Sequence, residues 1–247
     1  MANWQDPRSA AERGGGVNTA TVGVPSVARD AGLRSYMLSV YNYMASGVLL
    51  TGIVALLFAR SGLAAQVFVT PLRWVIVLAP LGFVMAMSFG LQRMKTSTLQ
   101  LLFWSFAIAM GLSVSSIFLV YTGPSIAQTF FAVSAGFLGL SLYGYTTKRD
   151  LSALGTFLIM GVVGLIVAMA LNLFFFRSAG MALAISALGV LIFAGLTAYD
   201  TQKIKSMYAY VQGTDMMGKT VIMGALNLYL DFVNMFMFLL SFMGNRR

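Results

Sequence analysis

Two aspartates stand where a carboxylate is expensive. Asp231 lies ten residues into an apolar run, within Ala225-Leu226-Asn227-Leu228-Tyr229-Leu230-Asp231-Phe232-Val233-Asn234. At about 1.5 Å rise per residue, a helix through that run carries the acid on the order of 15 Å deep, near mid-membrane. A carboxylate there costs roughly 2.5–3.5 kcal/mol on insertion scales, so intramembrane acids face a bundle interior or water and are functional by default. Asn227 and Asn234 stand at i−4 and i+3 from Asp231, which makes a supporting polar stripe on one helix face. Asp200 closes the preceding apolar run, in Gly195-Leu196-Thr197-Ala198-Tyr199-Asp200-Thr201-Gln202-Lys203-Ile204-Lys205. If Lys203 and Lys205 mark the inner interface, Asp200 sits about one turn inside it.

Consecutive spans are antiparallel neighbours, so the two acids can approach one another in the cytoplasmic half. Two carboxylates in a low-dielectric site cannot both ionise cheaply and would hold one proton between them. Loss of that proton would create repulsion, or a hard-oxygen site that a calcium ion could transiently neutralise. Blander roles stay open. Asp200 could be an interfacial acid paired with Lys203 or Lys205, or a helix-end carboxylate, and Asp231 could be a structural hydrogen-bonding residue.

Other chemistry is limited by what is missing. The 247 residues include no cysteine and no histidine, which removes disulfides, thiol catalysis, Ser-His triads and Cys/His zinc sites. Only seven carboxylates exist: Asp6, Glu12, Asp30, Asp150, Asp200, Asp215 and Asp231. The net charge of +9 does not indicate nucleic acid, because the basic residues fall singly or in twos between apolar blocks and form no basic face. No residue pattern demands a lipid, cofactor or tightly held metal.

The elements that must position the acids are membrane spans. Hydrophobic residues make up 59% of the chain and charged residues 9%, against roughly 25% charged in soluble domains. Seven apolar blocks follow one another at about 36–59, 74–91, 99–121, 126–145, 151–176, 181–199 and 221–243, each near the 20 residues that cross a hydrocarbon core of about 30 Å. The chain therefore reads as an all-α integral membrane protein of seven transmembrane helices (residues 36–247) behind a disordered cytoplasmic tail (residues 1–35). That tail has Gly14-Gly15-Gly16 and no hydrophobic run, so it does not read as a signal peptide. Pro80 predicts a kink in the second span.

With the N-terminus inside, the inner side holds eleven basic residues: Arg8, Arg13, Arg29, Arg34, Arg93, Lys95, Lys148, Arg149, Lys203, Lys205 and Lys219. The outer side holds five, namely Arg60, Arg73, Arg177, Arg246 and Arg247. The bias favours N-in and C-out, although Arg246 and Arg247 leave a re-entrant seventh segment open. Small residues four apart (Ala107, Gly111 and Ser115; Ala132 and Gly136; Gly164 and Ala168) predict close helix packing. The seventeen methionines read as adaptable core filler.

The strings GLTAYDTQKIK (195–205), ALNLYLDFVNMFMFLL (225–240) and GYTTKRDLSALGTFLIMG (144–161) resemble, in order, segments of the Bax inhibitor family and its bacterial YccA-like members. The resemblance covers residue 36 to the end. It implies a seven-helix fold in which the last helix is central and surrounded by the other six. It also implies a di-aspartyl pair, here Asp200 and Asp231, acting as a pH-sensitive latch on a calcium leak path in a bacterial inner membrane. A basic latch partner would be Arg93, with Arg73 competing for the assignment. Bacterial members further resemble partners of a membrane-anchored ATP-dependent quality-control protease, which suggests a non-transporting regulatory role as the alternative, with the tail as a handle.

Enzymatic readings fare worse. Tyr199-Asp200 resembles half of an intramembrane aspartyl protease site, but Leu228-Tyr229-Leu230 precedes Asp231 where the other half needs Gly-x-Gly. A retinal pump needs a lysine inside the last span, and Lys219 only precedes it. A membrane serine protease lacks its base. The chain is expected not to be an enzyme.

Overall fold

In lipid every backbone polar group must find its partner within the chain, which leaves apolar blocks of this length little choice but helix. The computed structural model describes residues 26–247. They form α1 (Ser26–Arg60), α2 (Leu63–Phe68), α3 (Leu72–Gly90), α4 (Thr96–Val114), α5 (Ile117–Val120), α6 (Gly123–Thr146), α7 (Ser152–Leu171), α8 (Ala179–Val211) and α9 (Met216–Met243). A single π-helical turn, Asn172–Phe176, extends α7. Seven stretches are long and apolar enough to cross a membrane: Asp30–Arg60, Leu72–Gly90, Thr96–Val120, Gly123–Thr146, Ser152–Phe176, Ala179–Val211 and Met216–Met243. The protein is all-α and membrane-spanning. Large apolar side chains such as Leu49, Phe131, Leu138, Phe157 and Leu191 are exposed, as lipid-facing positions must be.

The core is organised on α9. Two-thirds (67%) of its span is buried, against 11–39% for the other spans, and it packs chiefly on α8, with further contacts to α6 and α4. Its N-terminal end meets the turn between α3 and α4, where Lys219 Nζ donates to the Leu91 carbonyl (3.2 Å). Its C-terminal end is tied to the turn between α5 and α6. There Thr122 N donates to Asn245 O (3.1 Å), Arg247 N to Val120 O (2.9 Å), and Asn245 N to Ser125 Oγ (2.9 Å). Helix α9 thus runs the full length of the third span, and the seventh segment crosses instead of re-entering.

Several boundaries differ from the sequence reading. Helix α1 begins at Ser26, inside the stretch expected to be disordered; the rest of that tail, residues 1–25, lies outside the described residues. Helix α8 continues to Val211, twelve residues past the apolar block that ended at Tyr199. Helix α3 runs through Pro80. Of the small-residue stripes, Ala107, Gly111 and Ser115 are buried, and a methyl group on Gly111 would press on Val54 and the Thr51 carbonyl. The expectation fails at Ala132, Gly136 and Gly164, which are exposed, with open space around both glycines, whereas Ala168 is half-buried against the core.

Candidate functional site

Residues 212–215 turn α8 back onto α9, with Gly213 in the left-handed region (φ 74°), a conformation a side chain would resist. The hairpin sets Asp200, eleven residues before the end of α8, beside Asp231 in the middle of α9. Their carboxyl groups face each other at hydrogen-bonding range. Asp231 is 4% exposed, whereas Asp200 is half-buried. Two carboxylate oxygens can share a hydrogen bond only when one carries a proton, so the geometry suits the singly protonated pair.

Asp231 Oδ2 is fully enclosed and has no hydrogen-bond partner apart from the facing Asp200 carboxyl; nearby on α8, the Thr201 hydroxyl is unpartnered. The polar stripe on α9 does not relieve the acid. Asn234 Nδ2 donates to its own helix at the Leu230 carbonyl (2.8 Å), and Asn227 is half-buried one turn before Asp231. Lys203, one turn beyond Asp200, lies over the Tyr199 ring with its ammonium 5.8 Å from the centroid. Lys205 is engaged elsewhere, donating to the Tyr145 carbonyl (2.6 Å). Arg93 is exposed in the turn after α3, and Arg73 lies over Trp74, 5.2 Å from its ring; neither is among the charges acting on the acids. The structure therefore brings together Asp200 and Asp231, and leaves Arg93 exposed in the turn after α3.

The helix carrying Asp200 is held by close approaches. A methyl group on Gly144 of α6 would collide with the backbone of Ala198, one on Gly155 of α7 would meet the Tyr199 ring at 2.5 Å, and one on Gly224 of α9 would meet Ile204 at 3.3 Å. Gln202 ties the same segment to the α6–α7 loop, accepting from Leu151 N (2.9 Å) and donating to Arg149 O (2.7 Å). On the other side of α9, the fully buried Tyr229 shares a 2.7 Å hydrogen bond with Thr51 of α1, and Thr51 donates to the Ala107 carbonyl of α4 (2.8 Å). This link positions the turn of α9 that carries Asp231. Sequence inspection missed it, because Thr51 and Tyr229 are 178 residues apart; the one signal was a tyrosine two residues from a buried acid.

Among the described residues, no group of three or more Asp, Glu, His or Cys side chains could hold a metal ion.

Comparison with known proteins places the chain. Residues 33–247 match the family model described as inhibitor of apoptosis-promoting Bax1. An uncharacterized protein of Rickettsia prowazekii is 49% identical over 220 residues, covering 88% of this chain and 92% of the relative. A protein of Caulobacter vibrioides is 45% identical over 231 residues, covering 88% and 91%. The inner membrane protein YbhL of Escherichia coli is 42% identical over 221 residues, covering 88% and 94%. With its seven spans, its helix pair and a match over nearly all of the described chain, the protein belongs to the Bax inhibitor family.

Proposed function

We propose that this protein is a pH-sensitive cation leak of a bacterial inner membrane, with calcium as its permeant ion and the Asp200–Asp231 pair as its proton-sharing gate. The observation that carries the reading is the pair itself: two carboxyl groups at hydrogen-bonding range in mid-bundle, one of them almost wholly enclosed with an oxygen that has no partner outside the pair. With one shared proton, the pair draws α8 and α9 together. With none, two charges about 4 Å apart in an effective dielectric of about 20 repel by on the order of 4 kcal/mol. That is enough to bias a two-state equilibrium by roughly 1,000-fold. The strain falls on α9, which we take as the central helix ringed by the other six, so its displacement would open a path alongside it. A cation would be admitted past the carboxylates that this displacement uncovers and released again, because two acids hold it weakly. The basic residues favour an N-terminus in the cytoplasm, and the chain performs no covalent chemistry. A basic latch partner at Arg93 would require that exposed side chain to reach the pair in another state.

The test is calcium flux into proteoliposomes containing the purified protein, scanned from pH 5 to 8. The wild type should leak in a pH-dependent manner, and Asp200→Asn and Asp231→Asn should each flatten that dependence. A full pH response retained by Asp231→Asn would end the gate reading. No flux above empty liposomes in any sample would end the leak reading and turn attention to the regulatory alternative, a protease-binding role tested by deleting residues 1–25.

A further inference from the structure

A groove of about 770 Å³ lies between α1 and α6 with α9 as its floor. Its volume falls within the range of ligand sites, roughly 300–1,000 Å³. Nearly all of its lining is apolar, including Met44, Phe137 and Phe232, and Arg34 is its one charged residue. The two walls are antiparallel, so Arg34 and Tyr145 mark the same end and Leu49 and Phe130 the other. From Arg34 to Leu49 the groove follows fifteen residues of α1, about 22 Å. One leaflet of the hydrocarbon core is about 15 Å deep. The groove thus reaches from the headgroup level, where an arginine is comfortable, past the bilayer midplane.

A long apolar run with a single cation at one end matches an amphiphile with an anionic head. From this we infer that the groove binds one anionic phospholipid of the cytoplasmic leaflet. Its phosphate lies on Arg34 and an acyl chain lies along Met44, Phe137 and Phe232. A zwitterionic lipid supplies the same chain but offers the arginine no net charge. The chain rests on Phe232, the residue after Asp231, so the occupied groove supports the wall of α9 that carries the acid. The inference stands independently of any ion flux.

Native mass spectrometry of the purified full-length protein tests it, after delipidation in detergent and titration with phosphatidylglycerol or phosphatidylcholine of the same acyl chains. The wild type should retain one phosphatidylglycerol at concentrations at least tenfold below those needed for phosphatidylcholine. Arg34→Gln should lower that preference to twofold or less while leaving chain-dependent binding. Ala45→Trp and Leu138→Trp place an indole in the groove from exposed positions, where the fold has room for it, and should each abolish retention. Equal retention of the two lipids by the wild type would overturn the inference. So would undiminished phosphatidylglycerol binding in both tryptophan variants with unaltered melting temperatures.

Discussion

Substitution of Gly144 by alanine offers a sharp test of the packing that holds the acids in place. The single added methyl would collide with the backbone of Ala198, two residues before Asp200. A flexible side chain could swing aside, but a helix backbone cannot, so α6 and α8 must separate. Overpacking of this kind costs typically about 1–3 kcal/mol, and a rigid obstacle places this case toward the upper end. Alanine returns about 0.5–1 kcal/mol through its greater helical preference. The net expected loss is about 1–2 kcal/mol, read from reversible unfolding in mixed micelles. Two comparisons isolate the cause. A methyl on Gly195 would meet only the mobile tip of Leu158, and one on Gly139 would meet nothing within 4 Å, so Gly195→Ala should cost less than about 1 kcal/mol and Gly139→Ala nothing. If Gly144→Ala proved as stable as Gly139→Ala, the close approach of α6 to α8 would be refuted, and with it the clamp on Asp200.

Other expectations can be checked with comparable directness. The chain has no cysteine, so single cysteines at Thr147 and Arg247 can be labelled without background; a membrane-impermeant maleimide should reach them from opposite faces, and labelling from one face would contradict seven crossings. A double-mutant cycle of Thr51→Val and Tyr229→Phe should yield a coupling of about 0.6 kcal/mol, within the range of interhelical hydrogen bonds in membranes; zero coupling would dissolve the link between α1 and α9. Asp150 accepts from Ser152 N (2.9 Å) at the start of α7, and hydrogen bonds from Ser152 hold its carboxyl below the usual aspartate value. A folded-state value below the unfolded one (about 3.9) means the contribution is whole at neutral pH and lost as pH falls through the folded value. The melting-temperature gap between wild type and Asp150→Ala should accordingly be present at pH 6 and shrink as the pH falls below the unfolded value and through the folded one. Finally, Asp231→Val should leave folding stability unchanged or raise it by about 1–2 kcal/mol, since the acid costs roughly 2.5–3.5 kcal/mol in mid-membrane while its interhelical hydrogen bond returns about 0.6 and overpacking about 1. A loss of more than about 1 kcal/mol would make the acid structural.

Span number and the identity of the two acids were legible because each is a violation of composition: blocks too apolar for water, and charges inside such blocks. Helix ends were not, since hydropathy reports the solvent of a segment and not its hydrogen bonding. Past Tyr199 the residues Asp200, Thr201, Gln202, Lys203 and Lys205 break the apolar run, yet the backbone ladder continues to Val211 and makes Asp200 a mid-helix residue. Four-residue spacing of small side chains identified the contact at Gly111 but also marked Gly136 and Gly164, which face open space. The decisive close approaches, at Gly144 and Gly155, belong to none of the stripes read from the sequence. Spacing along one helix says nothing about which face a partner occupies. The same blindness hid the Thr51–Tyr229 link and the groove between α1 and α6, both made by residues distant in sequence.

The surroundings of the acid pair bear on what it is for. A structural polar contact in a membrane protein is expected to satisfy its atoms, because an unpaired group in a dry interior is a net cost. Asp231 leaves one oxygen without a partner apart from the facing Asp200 carboxyl, and the nearest amide on its own stripe, Asn234, turns back to the Leu230 carbonyl. Substitution by an apolar residue would remove that cost, and buried ionic groups are often replaced without loss of stability. The helix that carries the other acid is meanwhile packed with unusual closeness, through Gly144, Gly155 and Gly224. Tight packing around a poorly satisfied acid is the pattern of a site where destabilisation is tolerated for a function that the surrounding bundle sustains. On that ground we propose the acids as the bistable element of the fold. The glycine contacts, the Tyr229–Thr51 bond and the tie of Gln202 to the α6–α7 loop are the frame against which a change in their charge would act.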